Sequence, residues 1–277
     1  MIKAAVLGSP IEHSLSPVVH GFIYRALGLE YEYSKIELEV EGALEFIPRE
    51  LEKKIGDGYL WRGFSLTMPL KEVGFHLGLE IDSYATRSIS INTIIRGKGF
   101  NTDVTGAMRV LSEKGIAPKK ILILGNGATA RSMAIALEEY SLQLKDQLSI
   151  SIIRRNNSKD QFFLERNNGF IEFLSPTDLS SSFIRNFDLT ISTLPATAGE
   201  SMAESFEGYS GTLFDVSYQP WPSPLASKTR GETISGIDLL VAQAVDQAAI
   251  FSGLEFDHNA IFRETLLSTT SYILKKR

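Results

Sequence analysis

The chain has 277 residues, with 28 basic against 33 acidic side chains and a formal net charge of −5. That balance argues against a nucleic-acid binder working through a broad basic field. Its 43% hydrophobic content excludes a disordered chain, and the lack of cysteine excludes disulfides, thiolate zinc sites and cysteine nucleophiles.

In chain order, "IKAAVLG" from Ile2 reads as a buried strand. "SPVVHGFIYRALG" reads as a helix with Ser16 as N-cap, Pro17 at the first helical position and Gly28 at its end. "YEYSKIEL" alternates like a strand, a helix is expected around 42–55, and "GFSLTMP" is again strand-like. "INTIIRGKGFNTD" predicts a hairpin turning at "GKG". Near residue 103 a second unit begins. Helical "DVTGAMRVLSEKG" leads to the strand "KKILIL", a glycine-rich turn, an amphipathic helix, and then the strands "LSISIIRR", "DLTISTLP" and "GTLFDV". This βαβ succession predicts a parallel sheet. Two helices, "GIDLLVAQAVDQAAIFSG" and "NAIFRETLLSTTSYILKK", close the chain and are expected to return to the first unit. The fold class is therefore α/β with two domains: residues 1–103 plus 239–277, and a Rossmann-like domain over 104–238.

"GNGATA", Gly125–Ala130, fits G-x-G-x-x-G/A directly after a strand and at the opening of a helix. Gly125 permits the tight turn, and Gly127 lets the backbone approach a pyrophosphate. Ala128 and Thr129 then lead into a helix whose free N–H groups attract phosphate. Dinucleotide choice is read at the end of the next strand, where "IIRRNNSK" places Arg154 and Arg155, followed by Asn156. Guanidinium groups suit a 2′-phosphate and a carboxylate would repel it, so NADP is favoured over NAD.

Four polar stretches mark the first 103 residues. They are "SLS" (Ser14, Ser16), "SLTMPLK" (Thr67, Lys71), "SIN" (Asn92) and "NTD" (Thr102, Asp103). Each is read as following a strand, so that they converge at one sheet edge. Their hydroxyls, amide, ammonium and carboxylate suit a small ligand bearing hydroxyls and a carboxylate. His13, His20, His76 and His258 show no metal-ligand spacing and are read as structural or surface residues; no metal is expected.

Together "GSPIEHSLSPVVH", "SLTMPLK", "INT", "GFNTDVTG", "GNGATA", "IIRRNN" and "GIDLLVAQA" resemble, in order, the motifs of the shikimate dehydrogenase family over nearly the whole chain. The resemblance implies NADP-dependent reversible reduction of 3-dehydroshikimate to shikimate, in aromatic biosynthesis. It implies that Ser14 and Ser16 hold the substrate carboxylate, with Tyr218 nearby, and that Thr67, Asn92, Asp103 and Gln243 hold its hydroxyls. Lys71 would sit at the reacting oxygen with Asp103 beside it, in a cleft between a substrate and a cofactor domain. Ser192, Thr193, Leu194, Gly236 and Leu239 would lie on the cofactor side. Departures from the family pattern are "ISTLPATAG" in place of an asparagine–alanine–threonine–proline run, and Leu239 where methionine is common. Relaxed quinate or NAD use, or a non-catalytic sensor, are the competing readings. The opening segment lacks a signal-peptide core and no apolar run reaches ~20 residues. A cytoplasmic protein is therefore expected, monomeric or homodimeric, with a small-molecule substrate and neither nucleic acid nor membrane as partner.

Overall fold

The computed structural model describes residues 2–145, 147–165 and 171–276. In the first part of the chain the elements are β1 (Ile2–Gly8), α1 (Ser16–Ala26), β2 (Tyr31–Glu37), α2 (Val40–Leu51), β3 (Lys54–Ile55), β4 (Gly58–Tyr59) and β5 (Trp61–Leu66). A 3-10 turn at Leu70–His76 precedes β6 (Glu80–Ile81), α3 (Ser83–Ser88), β7 (Thr93–Ile95), β8 (Lys98–Phe100) and α4 (Thr102–Glu113). There follow β9 (Lys120–Leu124), α5 (Ala128–Leu144), β10 (Ser149–Ile153), α6 (Asp160–Leu164), β11 (Ile171–Leu174), α7 (Ser181–Ile184) and β12 (Leu189–Ser192). The last are α8 (Ala196–Glu200), β13 (Thr212–Asp215), α9 (Pro224–Lys228), β14 (Thr233–Ser235), α10 (Gly236–Ser252) and α11 (His258–Lys276).

The chain divides into two compact units. One holds the residues up to Arg109 together with those from Leu240 onward, and the other holds Val110–Leu239. The divisions fall inside α4 and α10.

In the first unit six strands lie in the order β2-β1-β5-β7-β8-β6. β1 runs parallel to β2 and β5, whereas β7 is antiparallel to β5 and to β8. The carboxyl ends of β1, β5 and β8 and the start of β7 therefore share one edge. One face packs on α2 and the 3-10 turn through Leu7, Ile47, Phe64, Leu66, Leu70 and Ile91, all buried. Removing that apolar surface from water supplies the main driving force. In the second unit all six strands are parallel, in the order β11-β10-β9-β12-β13-β14. Counted from β9, that is 3-2-1-4-5-6, the doubly wound dinucleotide-binding order, with its switch point between β9 and β12.

Local expectations are corrected at four places. Ser16 is the first residue of α1 rather than its N-cap, because Leu15 already takes the helical conformation. The Ser14 hydroxyl, two residues upstream, accepts from the Ser16 N–H at 3.3 Å. The helix expected around 42–55 runs Val40–Leu51; beyond it, Gly56 at φ +56° turns the chain into the β3–β4 hairpin. The hairpin expected to turn at "GKG" turns at Gly97, which has φ +76°, while Lys98 and Gly99 already belong to β8. Asn92 precedes β7 instead of following a strand, and reaches the shared edge because β7 is antiparallel.

His20 is structural. It is fully buried, stacks on Tyr33 with centroids 3.8 Å apart, and lies 3.2 Å from both Tyr24 Oη and Gln247 Oε1. Burial pushes its pKa down to about 3, so Nε2 carries the proton that Gln247 Oε1 accepts. The unfolded chain binds a proton at this imidazole below its ordinary pKa of 6.5, and the folded chain does not until about 3. Stability from this group is thus complete above 6.5 and is lost as pH falls toward 3, by up to about 1.4 kcal/mol per pH unit. Urea unfolding across that range should show a shallower slope for His20→Gln than for the parent; equal slopes would contradict this.

Candidate active site and cofactor pocket

At the shared edge of the first sheet, Gly8 ends β1 against the end of β5. A Cβ there would lie 2.4 Å from Thr67 Cγ2 and 2.7 Å from the Met68 carbonyl oxygen, so only glycine allows the approach. The Thr67 N–H donates to the Leu7 carbonyl at 2.9 Å, fixing the turn that carries Lys71. On β8's side, the Asn101 side chain accepts from the Asp103 N–H at 3.0 Å and caps α4. Sequence reading passed over Asn101; an asparagine just before a helical run was the signal for it.

Lys71 Nζ then meets Asp103 Oδ2 at 2.5 Å, with side-chain exposures of 15% and 6%. Asp103 Oδ1 accepts from Asn92 Nδ2 at 2.9 Å. Asn92 is itself buried, and its Nδ2 also lies 3.0 Å from Thr102 Oγ1 and 3.4 Å from Gln243 Oε1. Its amide is thus engaged by protein groups, and it orients Asp103. Gln243 donates to the Leu240 carbonyl at 2.7 Å. Its backbone crosses Gly106 so closely that a Cβ there would lie 2.9 Å from Gln243 N. Lys71, Asn92, Thr102, Asp103 and Gln243 come together; Thr67 directly follows β5, Ser14 lies in the loop between β1 and α1, and Ser16 opens α1. Thr67 and Ser14 are half-buried and Ser16 is buried. The site offers one ammonium held by a carboxylate in a mostly dry setting, where charge acts over a low dielectric.

In the second unit, a cavity of about 370 Å³ opens at the switch point, lined by Gly125–Gly127 after β9, Arg154–Asn156 after β10 and Thr193–Pro195 after β12. Gly125 has φ +105°, and a Cβ there would lie 2.5 Å from Thr193 Oγ1. Gly127 is different: among the described residues a Cβ would meet nothing within 4 Å, so none of their atoms requires glycine at this position. The space beside it is where a pyrophosphate would approach the start of α5. Gly125→Ala is therefore expected to lower the melting temperature. Gly127→Ala should lower it only slightly, as a poorer N-cap of α5, and weaken dinucleotide binding in a titration without substrate.

The two arginines have separate work. Arg154 Nε donates to both Asp160 carboxylate oxygens at 2.7 and 2.6 Å, and its guanidinium lies 4.7 Å from the Phe173 ring centre. Arg155 is exposed on the cavity wall and pairs with no carboxylate among the described residues. Asn126 Nδ2 donates to the Asn156 carbonyl at 3.0 Å, tying the glycine turn to this loop. A free guanidinium beside an uncrowded glycine turn fits a dinucleotide carrying a 2′-phosphate. Ala128 and Thr129 form the first turn of α5. Ser192, expected on the cofactor side, is buried beside its register partner Asp215 and is not part of the cavity wall.

Gly236 and Leu239 open α10, also away from that wall. Gly236 is demanded by the Val216 carbonyl, 2.0 Å from where its Cβ would be. Tyr218 is half-buried in the loop after β13. That loop is held by Asp215, which accepts from Ser223 Oγ at 2.6 Å and from the Ser217 N–H at 3.1 Å. Burial raises the Asp215 pKa. Among the described residues no cluster with metal-binding geometry occurs, and no helix is long and apolar enough to cross a membrane.

The family model described as "Shikimate dehydrogenase substrate binding domain" matches residues 6–94. A protein of Methanococcoides burtonii named shikimate dehydrogenase (NADP(+)) is 31% identical, covering 96% of this chain and 97% of its own length. The protein of that name from Methanocella arvoryzae is 30% identical over 90% of this chain and 93% of its own. The crystal structure of Mycobacterium tuberculosis shikimate dehydrogenase aligns with a TM-score of 0.81 at 29% identity, covering 97% of this chain and all of that one. A Thermus thermophilus shikimate 5-dehydrogenase crystallised with NADP(H) and shikimate aligns at a TM-score of 0.76 and 26% identity, covering 96% and 98%. With relatives this similar across nearly their full length, the chain belongs to the shikimate dehydrogenase family.

Proposed function

We propose that the chain catalyses the NADP-dependent, reversible reduction of 3-dehydroshikimate to shikimate. The observation that carries this reading is the nearly dry Lys71–Asp103 pair at the edge where the ends of β5 and β8 meet the start of β7. The hydride is what NADPH supplies when bound; Gly125, Asn126, Gly127 and Arg155 would hold it. Lys71 stabilises the negative charge that develops on the reacting oxygen and delivers the proton there. Asp103 fixes the Lys71 ammonium and accepts from a substrate hydroxyl. Thr67 and Gln243 hold further hydroxyls, Asn92 orients Asp103, and Ser14 and Ser16 take the substrate carboxylate. Support comes from the names of the curated relatives and from the relative crystallised with both ligands. The unit up to Arg109 plus the segment from Leu240 would serve the substrate, and Val110–Leu239 the cofactor. We further assign a cytoplasmic enzyme, monomeric or homodimeric.

The test is absorbance at the NADPH band when purified protein meets shikimate or quinate, each with NADP and with NAD. Shikimate with NADP should give the fastest rise by far. A faster rise with quinate or NAD would replace the substrate or cofactor assignment, and no rise in any arm would indicate a non-catalytic binder.

A further inference from the structure

Connected to the Lys71–Asp103 pair is a buried polar network where a sheet–helix interface would ordinarily be apolar. At its centre is Gln247 on α10, 1% exposed. Its Oε1 accepts from Ser65 Oγ at 2.7 Å and from His20 Nε2 at 3.2 Å. Its Nε2 donates to Thr93 Oγ1 at 3.0 Å and to the Asn92 carbonyl at 3.1 Å.

The sense of each bond follows from the last. Ser65 Oγ accepts the Tyr33 hydroxyl proton at 2.7 Å, so its own proton goes to Gln247. Two donors occupy Gln247 Oε1, which turns its amino group toward Thr93. Thr93 Oγ1 gives its proton to Asn92 Oδ1 at 2.8 Å. Asn92 Oδ1 also accepts the Thr102 N–H at 2.9 Å, which leaves the Asn92 amino group facing Asp103 Oδ1. The bonds Tyr33→Ser65→Gln247→Thr93→Asn92→Asp103 therefore point one way, and end on the carboxylate to which Lys71 donates through the other oxygen.

We propose that this directional relay fixes the Asn92 amide, and through it the Asp103 carboxylate, making Ser65, Gln247 and Thr93 positioning residues for the Lys71–Asp103 pair. The inference rests on the reading of that pair as the reacting centre. Hydrogen bonds in series polarise one another, and those ending on a charged acceptor are the strong ones. An apolar interface at the same place would fill space equally well without dictating which end of the Asn92 amide faces Asp103. The relay reaches the site from α10 and from β2 and β5, so the carboxylate's orientation depends on residues that touch no substrate.

Thr93→Val tests it, because valine matches threonine in shape and removes only the hydroxyl. Gln247 Nε2 keeps the Asn92 carbonyl and Asn92 Oδ1 keeps the Thr102 N–H, so the variant has what it needs to fold. The expected result is a fall in kcat of about tenfold, with the shikimate KM changed by less than about threefold. Thr93→Ser, which keeps the donor, restores kcat even where its melting temperature is lowered. Tyr33→Phe, which removes only the first donor, falls in the same direction by less, and carries the test if Thr93→Val does not fold. A purely structural role predicts melting temperatures that fall with kcat unchanged, and that outcome overturns the relay. Lys71→Ala is measured alongside. If it loses turnover while Thr93→Val keeps it, the relay fails alone; if Lys71→Ala keeps turnover, the reading of the pair fails.

Discussion

Lys71→Ala should lower turnover of shikimate by about 10²–10⁴-fold, the range that a positioned acid–base group supplies. NADP affinity, titrated without substrate, should be unchanged, because the candidate cofactor residues belong to Val110–Leu239 and Lys71 does not. The substitution also leaves a nearly buried carboxylate with the Asn92 amide as a donor but without its ammonium. Breaking one side of a buried pair costs about 3–5 kcal/mol, so the melting temperature should fall as well. Lys71→Ala combined with Asp103→Asn removes the stranded charge. It should recover much of the stability and none of the turnover, which separates chemistry from folding. Unchanged turnover in the single variant would remove Lys71 from the reaction.

The second large effect concerns Arg155. Arg155→Ala should weaken NADP binding by about 10- to 150-fold, the worth of a hydrogen bond to a charged group, and leave NAD binding as it was. Arg154→Ala should do the reverse. It strands Asp160, whose oxygens accept from Arg154 at 2.6 and 2.7 Å, so stability falls while discrimination between the two dinucleotides persists. Calorimetric titration of both variants with NADP and with NAD reads all four outcomes. Equal loss of NADP and NAD on changing Arg155 would mean that it does not face the 2′-phosphate.

How far the sequence carried the structure differs by element. The second unit was the most legible: "KKILILGNGATA" states strand, turn and helix through local chemistry alone, and the parallel sheet follows from βαβ succession. The pair Lys71 and Asp103 was legible as residue types at element ends, but their contact depends on β7 reversing direction. That reversal makes the start of one strand meet the ends of three others. Strand direction is set by pairing across the sheet, which no local window contains. For the same reason the contacts of the Asn92 amide with Asp103 and Thr102 were not legible in the sequence. The arginines "RR" looked equivalent in sequence; Asp160, six residues after Arg154, separates them by taking one and leaving the other. Gln247 and Ser65 gave no signal, because a buried polar network is visible only once four elements are brought together.

The most direct measurement follows the hydrogen itself. Shikimate carrying deuterium on the ring carbon whose hydroxyl is oxidised is incubated with the protein and NADP, and the reduced dinucleotide is weighed by mass spectrometry. The account predicts NADPH heavier by the mass difference between deuterium and hydrogen, formed more slowly than from unlabelled shikimate, and about 10²–10⁴-fold more slowly still with Lys71→Ala. NADPH formed without the label, or none formed by the parent protein, would contradict it.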